Sequence, residues 1–393
     1  MSNDAKATKG GDRFDLLTAS APGTPMGRLL RSFWQPVAIA NQLKPGTARA
    51  VRIMCEDLTL YRGESGKHYV VGGRCAHRCN VLHTGWIEGE ELRCMYHGWR
   101  YDGLGQCTEM PAEKRPRTEL VRIAGYPVHE YGGLLFAYMG DGPAPEFDLP
   151  RKPFFEDPSW LLFPRAQVWD CNWFQQVENS LDGSHLSFAH AWGRVSRFQE
   201  EITTAIPELS YKETDAGIRQ TSKRSDNNVR ISNWTFPNNN HVNSPGPKKG
   251  DSWGHFCGWV VPIDDHHTLR MGLQAMPSAD PETDRRMQDT YGMLATGFTP
   301  ADYYDYLFNR HVVPDEAARQ IINTQDYVAV RGQDVIVDRT KESLAQTDLG
   351  IVLLRRIFFR ELEAIEAGNP TKHWKRLMEM PNMPIPTPEP AGA

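Results

Sequence analysis

The chain has 393 residues, 24% of them charged and 40% apolar, with a formal net charge of -5. That length accommodates two or three domains with sizeable cores, and the mildly acidic balance gives no reason to expect nucleic acid or an anionic membrane surface as a partner. No run of eighteen apolar residues occurs and Met1 to Lys6 lacks the apolar core of a signal peptide, so a cytoplasmic protein is expected.

Residues 1 to about 13 are polar and are expected to be loose, and Phe33 to Ala40 begins the first ordered strand region. Alternating stretches at Val51 to Ile53, Leu58 to Leu60 and Tyr69 to Val71, broken by glycine and charged turns, read as antiparallel strands. They frame the first chemical motif, Cys75-Ala-His77, then sixteen residues, then Cys94-Met-Tyr-His97. Two thiolates on one iron and two imidazoles on the other are the ligand set of a Rieske 2Fe-2S cluster, which stores one electron. A structural zinc ion also accepts two Cys and two His, but zinc sites more often pair C-x-x-C with H-x3-5-H than C-x-H with C-x-x-H. Gly72-Gly73 before Cys75 and Gly98-Trp99 after His97 allow close backbone approach and an indole shield. Seven cysteines, an odd number with two in this motif, argue against a disulfide framework.

A proline-rich stretch, Pro143 to Pro150, marks a linker, dividing the chain into residues 1–150 and 151–393. Beyond it lies the second motif, Asp182-Gly-Ser-His185-Leu-Ser-Phe-Ala-His190. In an ordinary helix Asp182 and His185 are neighbours about 60° apart, whereas His185 and His190 sit roughly 140° apart. One metal ion collects both histidines only where the helix ends, bulges or bends, so a perturbed helix is predicted. A carboxylate would complete a facial triad that leaves iron open positions for O2. Candidates are Asp302, Asp305, Asp326, Asp334 and Asp338, among which spacing does not choose; an apolar stretch after Asp326 favours carrying that carboxylate inward.

Between these ligands, Gly254 to Pro262 and Thr268 to Ala275 read as a hairpin turned at Asp264 to His267, with His266 and His267 solvated. Arg224 and Arg230 are expected at the surface, and Trp234, Phe236, Phe256 and Trp259 in the core. Gly350 to Ile365 suits a long helix with an apolar face, ended by Gly368-Asn-Pro370, and the tail from Pro381 to Ala393 is expected to be extended. The chain has no G-x-G-x-x-G or P-loop signature, so flavin and nicotinamide are assigned to a separate reductase.

The residues around the first motif carry a resemblance. Cys75-Ala-His77-Arg78, Gly85-Trp86-Ile87-Glu88, Leu92 to Asp102, Gly105-Gln106-Cys107 and Met110-Pro111 resemble the Rieske domain of ring-hydroxylating and dealkylating non-haem iron oxygenases, in particular the phthalate-type branch. Cys79 departs from it, standing where that family usually has glycine, and is expected to be a small buried side chain. Asn172 to Asp182 with His185 and His190 resembles the mononuclear-iron segment of the same oxygenases, and the stretch around Asp326, through Gly332-Gln333 and Asp338-Arg339-Thr340, resembles the portion in which the iron-binding aspartate begins a helix. The resemblance implies an α+β protein with an all-antiparallel Rieske domain and a catalytic domain whose large antiparallel sheet is flanked by helices in the helix-grip manner. It implies Cys75, His77, Cys94 and His97 as cluster ligands and His185, His190 and Asp326 as ligands of Fe(II). Asp182 then bridges a Rieske histidine of one subunit to an iron-binding histidine of the next in a homotrimer, and Asn179 lines the iron pocket. Electrons from NAD(P)H would arrive through a reductase and/or ferredoxin, and O2 would hydroxylate an aromatic substrate or dealkylate an aryl ether or N-alkyl compound. The competing functional class is an electron-transfer Rieske protein without oxygenase activity.

Overall fold

Short strands joined by tight turns build the N-terminal third of the computed structural model, which describes residues 10–147, 149, 152–191, 200–203, 205–246, 251–292 and 321–374. Thr47–Ile53, Glu56–Arg62, His68–Gly72 and Gly125–Tyr126 form one antiparallel sheet, with Val51 opposite Leu58 and Leu60 opposite Val70. Trp86–Glu88, Glu91–Arg93, Arg100–Tyr101 and Cys107–Glu109 form a second, and Gln35–Ile39 pairs with Leu134–Ala137 in a third. The alternating runs at 51–53, 58–60 and 69–71 therefore lie within strands, as their period of two requires.

The C-terminal part is organised by a seven-stranded antiparallel sheet in the order Trp160–Trp169, Thr268–Pro277, Gly254–Pro262, Asn239–Ser244, Asn228–Thr235, Gly217–Ser225, Glu208–Glu213. The expected hairpin pairs Pro262 with Thr268, and the Asp264 carboxylate closes its turn by accepting the backbone N–H groups of His266 and His267. Both histidines are exposed, as expected of a turn. Helix Trp173–Asn179 packs on strand Gly254–Pro262 and against helix Ile321–Arg331, while Leu349–Glu366 covers the edge strand Glu208–Glu213. The α+β architecture with a large sheet gripping its helices is that expected.

One apolar core runs through both regions, joining Leu17, Leu29 and Phe136 to Trp173, Trp234, Phe236, Trp259 and Phe358. The long helix contributes because Leu354, Ile357, Phe358 and Leu362 recur at helical spacing on one face. Gly368 follows its end with φ +69, a conformation glycine adopts at little cost. Residues 10–13, expected to be loose, fall within helix Gly10–Thr18, in which Phe14 is anchored on Phe359 with ring centroids 6.1 Å apart; residues 1–9 lie outside the described residues. Inside the core, Glu178 is clamped between Arg339 at 2.7 Å and Arg355 at 2.6 Å, tying helix Trp173–Asn179 to residues more than 160 positions away. The tail from Pro381 to Ala393 lies outside the described residues.

Candidate metal centres

The two loops of the first motif repeat one backbone construction. Cys75 N–H donates to Asn80 O and Cys79 N–H to Cys75 O; in parallel, Cys94 N–H donates to Trp99 O and Gly98 N–H to Cys94 O. The fifth residue of each loop takes a left-handed conformation, φ +56 at Cys79 and φ +72 at Gly98. This corrects the expectation for Cys79: its side chain is exposed, because the position is set by backbone curvature rather than by packing. The thiols of Cys75 and Cys94 are buried and lie within hydrogen-bonding contact of each other. Tyr101 accepts the Ala76 N–H at 3.1 Å, leaving its hydroxyl proton for Cys75 Sγ at 3.2 Å. The rings of His77 and His97 meet edge to face at 4.4 Å, and the Trp99 indole stacks on His77 at 4.5 Å, the shield expected of it. His77 Nδ1 is buried with no hydrogen-bond partner. Two paired thiols, two paired imidazoles and an orphaned ring nitrogen suit a two-iron cluster bound by sulfur at one end and nitrogen at the other.

At the second motif the predicted break in the helix occurs. Helix Trp173–Asn179 stops before Asp182, and a short 3-10 turn, His185–Ser187, leads into irregular chain before His190. Asp182 and His185 are therefore not helical neighbours; the Asp182 carboxylate accepts the N–H groups of Ser184 at 3.0 Å and His185 at 3.2 Å and so shapes the turn. The turn aims both imidazoles at Asp326. Its Oδ1 lies 3.5 Å from His185 Nε2 and 3.3 Å from His190 Nε2, and the three ligand atoms fall within 4.8 Å of one another. Among the described residues this is the one group of three or more His, Cys, Asp or Glu arranged to hold a single ion. Asp326 does not begin its helix, as expected, but sits in the middle of Ile321–Arg331 and reaches inward from there. Asp334 and Asp338 are not in this group, and Asp302 and Asp305 lie outside the described residues.

The surrounding groups hold the site ready for a cation. Gln325 Oε1 contacts His190 Nδ1 at 3.0 Å, so that ring presents Nε2 to the ion position. Asp182 Oδ2 lies 3.8 Å from His185 Nδ1, Asn179 Nδ2 donates to Asp326 Oδ1 at 3.4 Å, and Arg270 comes within 3.6 Å of Oδ2 while lying over the Trp169 ring. Burial opposes the charge of Asp326, yet His190, Arg270 and His185 outweigh it and hold the carboxyl well below its usual range. Burial lowers His185, favouring the neutral imidazole a metal ligand must be. Two neutralisable imidazoles and a carboxylate on one face fit ferrous iron with open positions. The adjacent cavity, about 170 Å3, is walled by this motif, by helix residues such as Asn179 and Asp326, and by sheet residues such as Gln220, Arg230 and Phe256. Arg224 and Arg230 are not surface charges: the three guanidinium nitrogens of Arg224 are buried, and Arg230 is 6% exposed and lines the cavity. Gln325 and Arg270 were not anticipated; adjacency to Asp326 was the signal for the first, and nothing in the sequence marked the second.

A fold with one antiparallel domain carrying a Cys2His2 loop pair and a second carrying a two-histidine, one-carboxylate centre defines an iron-sulfur oxygenase. Residues 33–130 match the Rieske [2Fe-2S] domain. The 5,5'-dehydrodivanillate O-demethylase oxygenase subunit of Sphingobium sp. is 34% identical over 91% of this chain and 81% of its own length. The tert-butanol monooxygenase / tert-amyl alcohol desaturase oxygenase subunit of Aquincola tertiaricarbonis is 32% identical over 86% of this chain and 74% of its own. Among solved structures, Pseudomonas putida CBB5 NdmA (QL mutant with theobromine) has a TM-score of 0.66 at 21% identity, covering 86% of this chain and 92% of that one. The chain belongs to the Rieske non-haem iron oxygenases, as the oxygenase component, with an iron-sulfur cluster and a non-haem iron as its cofactors. An electron carrier without oxygenase activity is set aside, since the likeness extends across the C-terminal part as well. Among the described residues no helix is long and apolar enough to cross a membrane.

Proposed function

We propose that this oxygenase, divided into a cluster domain at residues 1–150 and a catalytic domain at 151–393, uses O2 and electrons relayed from NAD(P)H by a separate reductase, with or without a ferredoxin. Its substrate is an aromatic compound that it hydroxylates, or an aryl ether or N-alkyl compound that it dealkylates. When bound, the cluster supplies single electrons and the ferrous ion supplies the redox centre at which O2 is used. Cys75, Cys94, His77 and His97 are the residues to hold the first, and His185, His190 and Asp326 the second. The observation that carries the reading is the convergence of His185, His190 and Asp326 beside a cavity, with Gln325 orienting the His190 ring from behind and Asp182 near the His185 ring.

Asp182 has a further part in this reading. One of its oxygens is occupied by Ser184 and His185, while the carboxylate remains partly exposed, at 32%. It is thus free to accept a hydrogen bond from His77 or His97 of another copy, and a closed ring of three chains would complete every active site with the same contact. The relative named for O-demethylation supports an aryl ether as substrate. The other is named for an aliphatic alcohol, so a discriminating panel includes tert-butanol beside aryl methyl ethers.

The test is metal analysis followed by turnover. Loaded protein should contain about three irons and two acid-labile sulfides per chain, and with NADH and a surrogate reductase it should consume O2 in proportion to added aryl ether. Zinc in place of iron, or O2 uptake indifferent to every substrate, would defeat the proposal. Asp182→Asn should retain both metal centres yet nearly stop turnover; normal coupled turnover would remove its bridging role.

A further inference from the structure

The wall of the cavity that holds the metal-binding histidines also carries a charge that no carboxylate among the described residues neutralises. Strands Gly217–Ser225 and Asn228–Thr235 run antiparallel with Ser222 opposite Arg230, and Gln220, Ser222, Arg230 and Ser232 all line the cavity. Arg224 stands at an irregularity in the pairing of these strands, close enough to Arg230 for the like charges to be felt, but is not itself part of the cavity lining. Arg230 makes one hydrogen bond, from Nη2 to the carbonyl of Asn243 at 2.7 Å; its Nε, and all three guanidinium nitrogens of Arg224, are buried without a partner.

A buried guanidinium normally finds a carboxylate, because an unpaired charge away from water is costly. Several interior arginines here obey that rule: Arg339 and Arg355 share Glu178, Arg31 faces Glu56 and Arg270 faces Asp326, whereas Arg49, away from the cavity, has no carboxylate. Among the described residues Arg230 and Arg224 have none either. Burial lowers both, and for Arg230 the like charge of Arg224 adds to the effect, bringing it to about 10, so it stays protonated at neutral pH. The acids of the cavity wall are Asp182 and Asp326, and both are engaged by the metal-binding histidines and their turn.

We propose that Arg230, supported by Arg224, is the anchor for a carboxylate group of the substrate. The planar fork of a guanidinium matches a carboxylate in two parallel hydrogen bonds and fixes its orientation. The acid end then rests against the sheet, and the far end of the molecule is presented to His185, His190 and Asp326 across the same cavity. This assigns the substrate class as a small carboxylic acid whose oxidised carbon lies away from the acid group, and it rests on the oxygenase reading of that cavity.

The experiment is calorimetric titration of the metal-loaded full chain with 3-methoxybenzoate and with neutral 3-methoxybenzamide. The wild type should bind the acid at least tenfold more tightly. Arg230→Met should weaken acid binding by roughly 10- to 100-fold, the range for a hydrogen bond to a charged group. Its amide affinity should stay within about threefold, and Arg230→Lys should recover part of the loss. Removing an unpaired buried charge should also leave the melting temperature of Arg230→Met unchanged or higher, whereas a structural arginine would lower it. Equal affinity for acid and amide, no binding of the acid, or unchanged acid binding in Arg230→Met, as when the carboxylate sits on the iron, overturns the anchor. Because the titration needs neither reductase nor O2, failure of turnover with the acid still bound through Arg230 would count against the oxygenation reading and leave the anchor standing.

Discussion

The two metal regions are built by different means. The cluster loops are local: the four proposed ligands fall within residues 75 to 97, and each loop is closed by its own pair of backbone hydrogen bonds. Their small core of Tyr61, Val71, Leu82, Leu92 and Tyr101 is separate from the main one. The second centre is assembled at long range, since Asp326 arrives on a helix remote in sequence from His185 and His190, and its supports come from Gln325, Arg270 and Asn179. A site made of loops tolerates damage elsewhere in the fold, whereas one made of packed helices and sheet depends on the whole catalytic core.

That contrast can be broken most sharply by removing one ligand from each region. Asp326→Ala should abolish turnover and lower iron by about one per chain while the cluster absorbance remains, and Cys94→Ser should abolish the cluster absorbance while the second site still takes up metal. Loss of both centres in either variant would show them to be interdependent. Next in size is Glu178→Gln, which leaves Arg339 without a carboxylate and Arg355 with Glu342 alone. It should cost about 3 to 5 kcal/mol, read as a shift in denaturant midpoint, with the second centre losing iron before the cluster bleaches. A midpoint shift below about 1 kcal/mol, the scale of an exposed pair, would contradict the clamp.

Smaller effects sharpen the comparison within each site. Gln325→Ala frees the His190 ring and should weaken iron binding about 10- to 100-fold in a chelator competition, with no change at the cluster. Cys79→Gly relieves a left-handed backbone at an exposed side chain and should stabilise the cluster loop by about 1 kcal/mol or leave it unchanged. A clear loss of cluster in Cys79→Gly would mean that the thiol itself has a part there.

Legibility in the sequence followed the same division. The strands at 51–53, 58–60 and 69–71, the hairpin turned at Asp264 and the helix Leu349–Glu366 were readable because each declares itself through local period or turn chemistry. The break between His185 and His190 was readable because helix geometry forbids one ion from collecting both. Arg224 and Arg230 were misread because a charged residue in a strand looks the same whichever face the strand turns to water. Cys79 was misread because cysteine usually packs inside; its φ of +56 explains why the resembled family usually has glycine there.

By itself, then, the amino-acid sequence determined the chemistry on offer: two thiols and two imidazoles within 23 positions, and a further pair of histidines five apart. These follow from residue type and short spacing, which the chain carries wherever it folds. Tertiary structure alone decided how Asp326 reaches His185 and His190 from the middle of its helix, what orients the His190 ring, and that Arg230 faces the cavity with no carboxylate of its own. Such choices depend on contacts between segments far apart in the chain, and burial, which sets the strength of every charge in the site, exists only once those segments have packed.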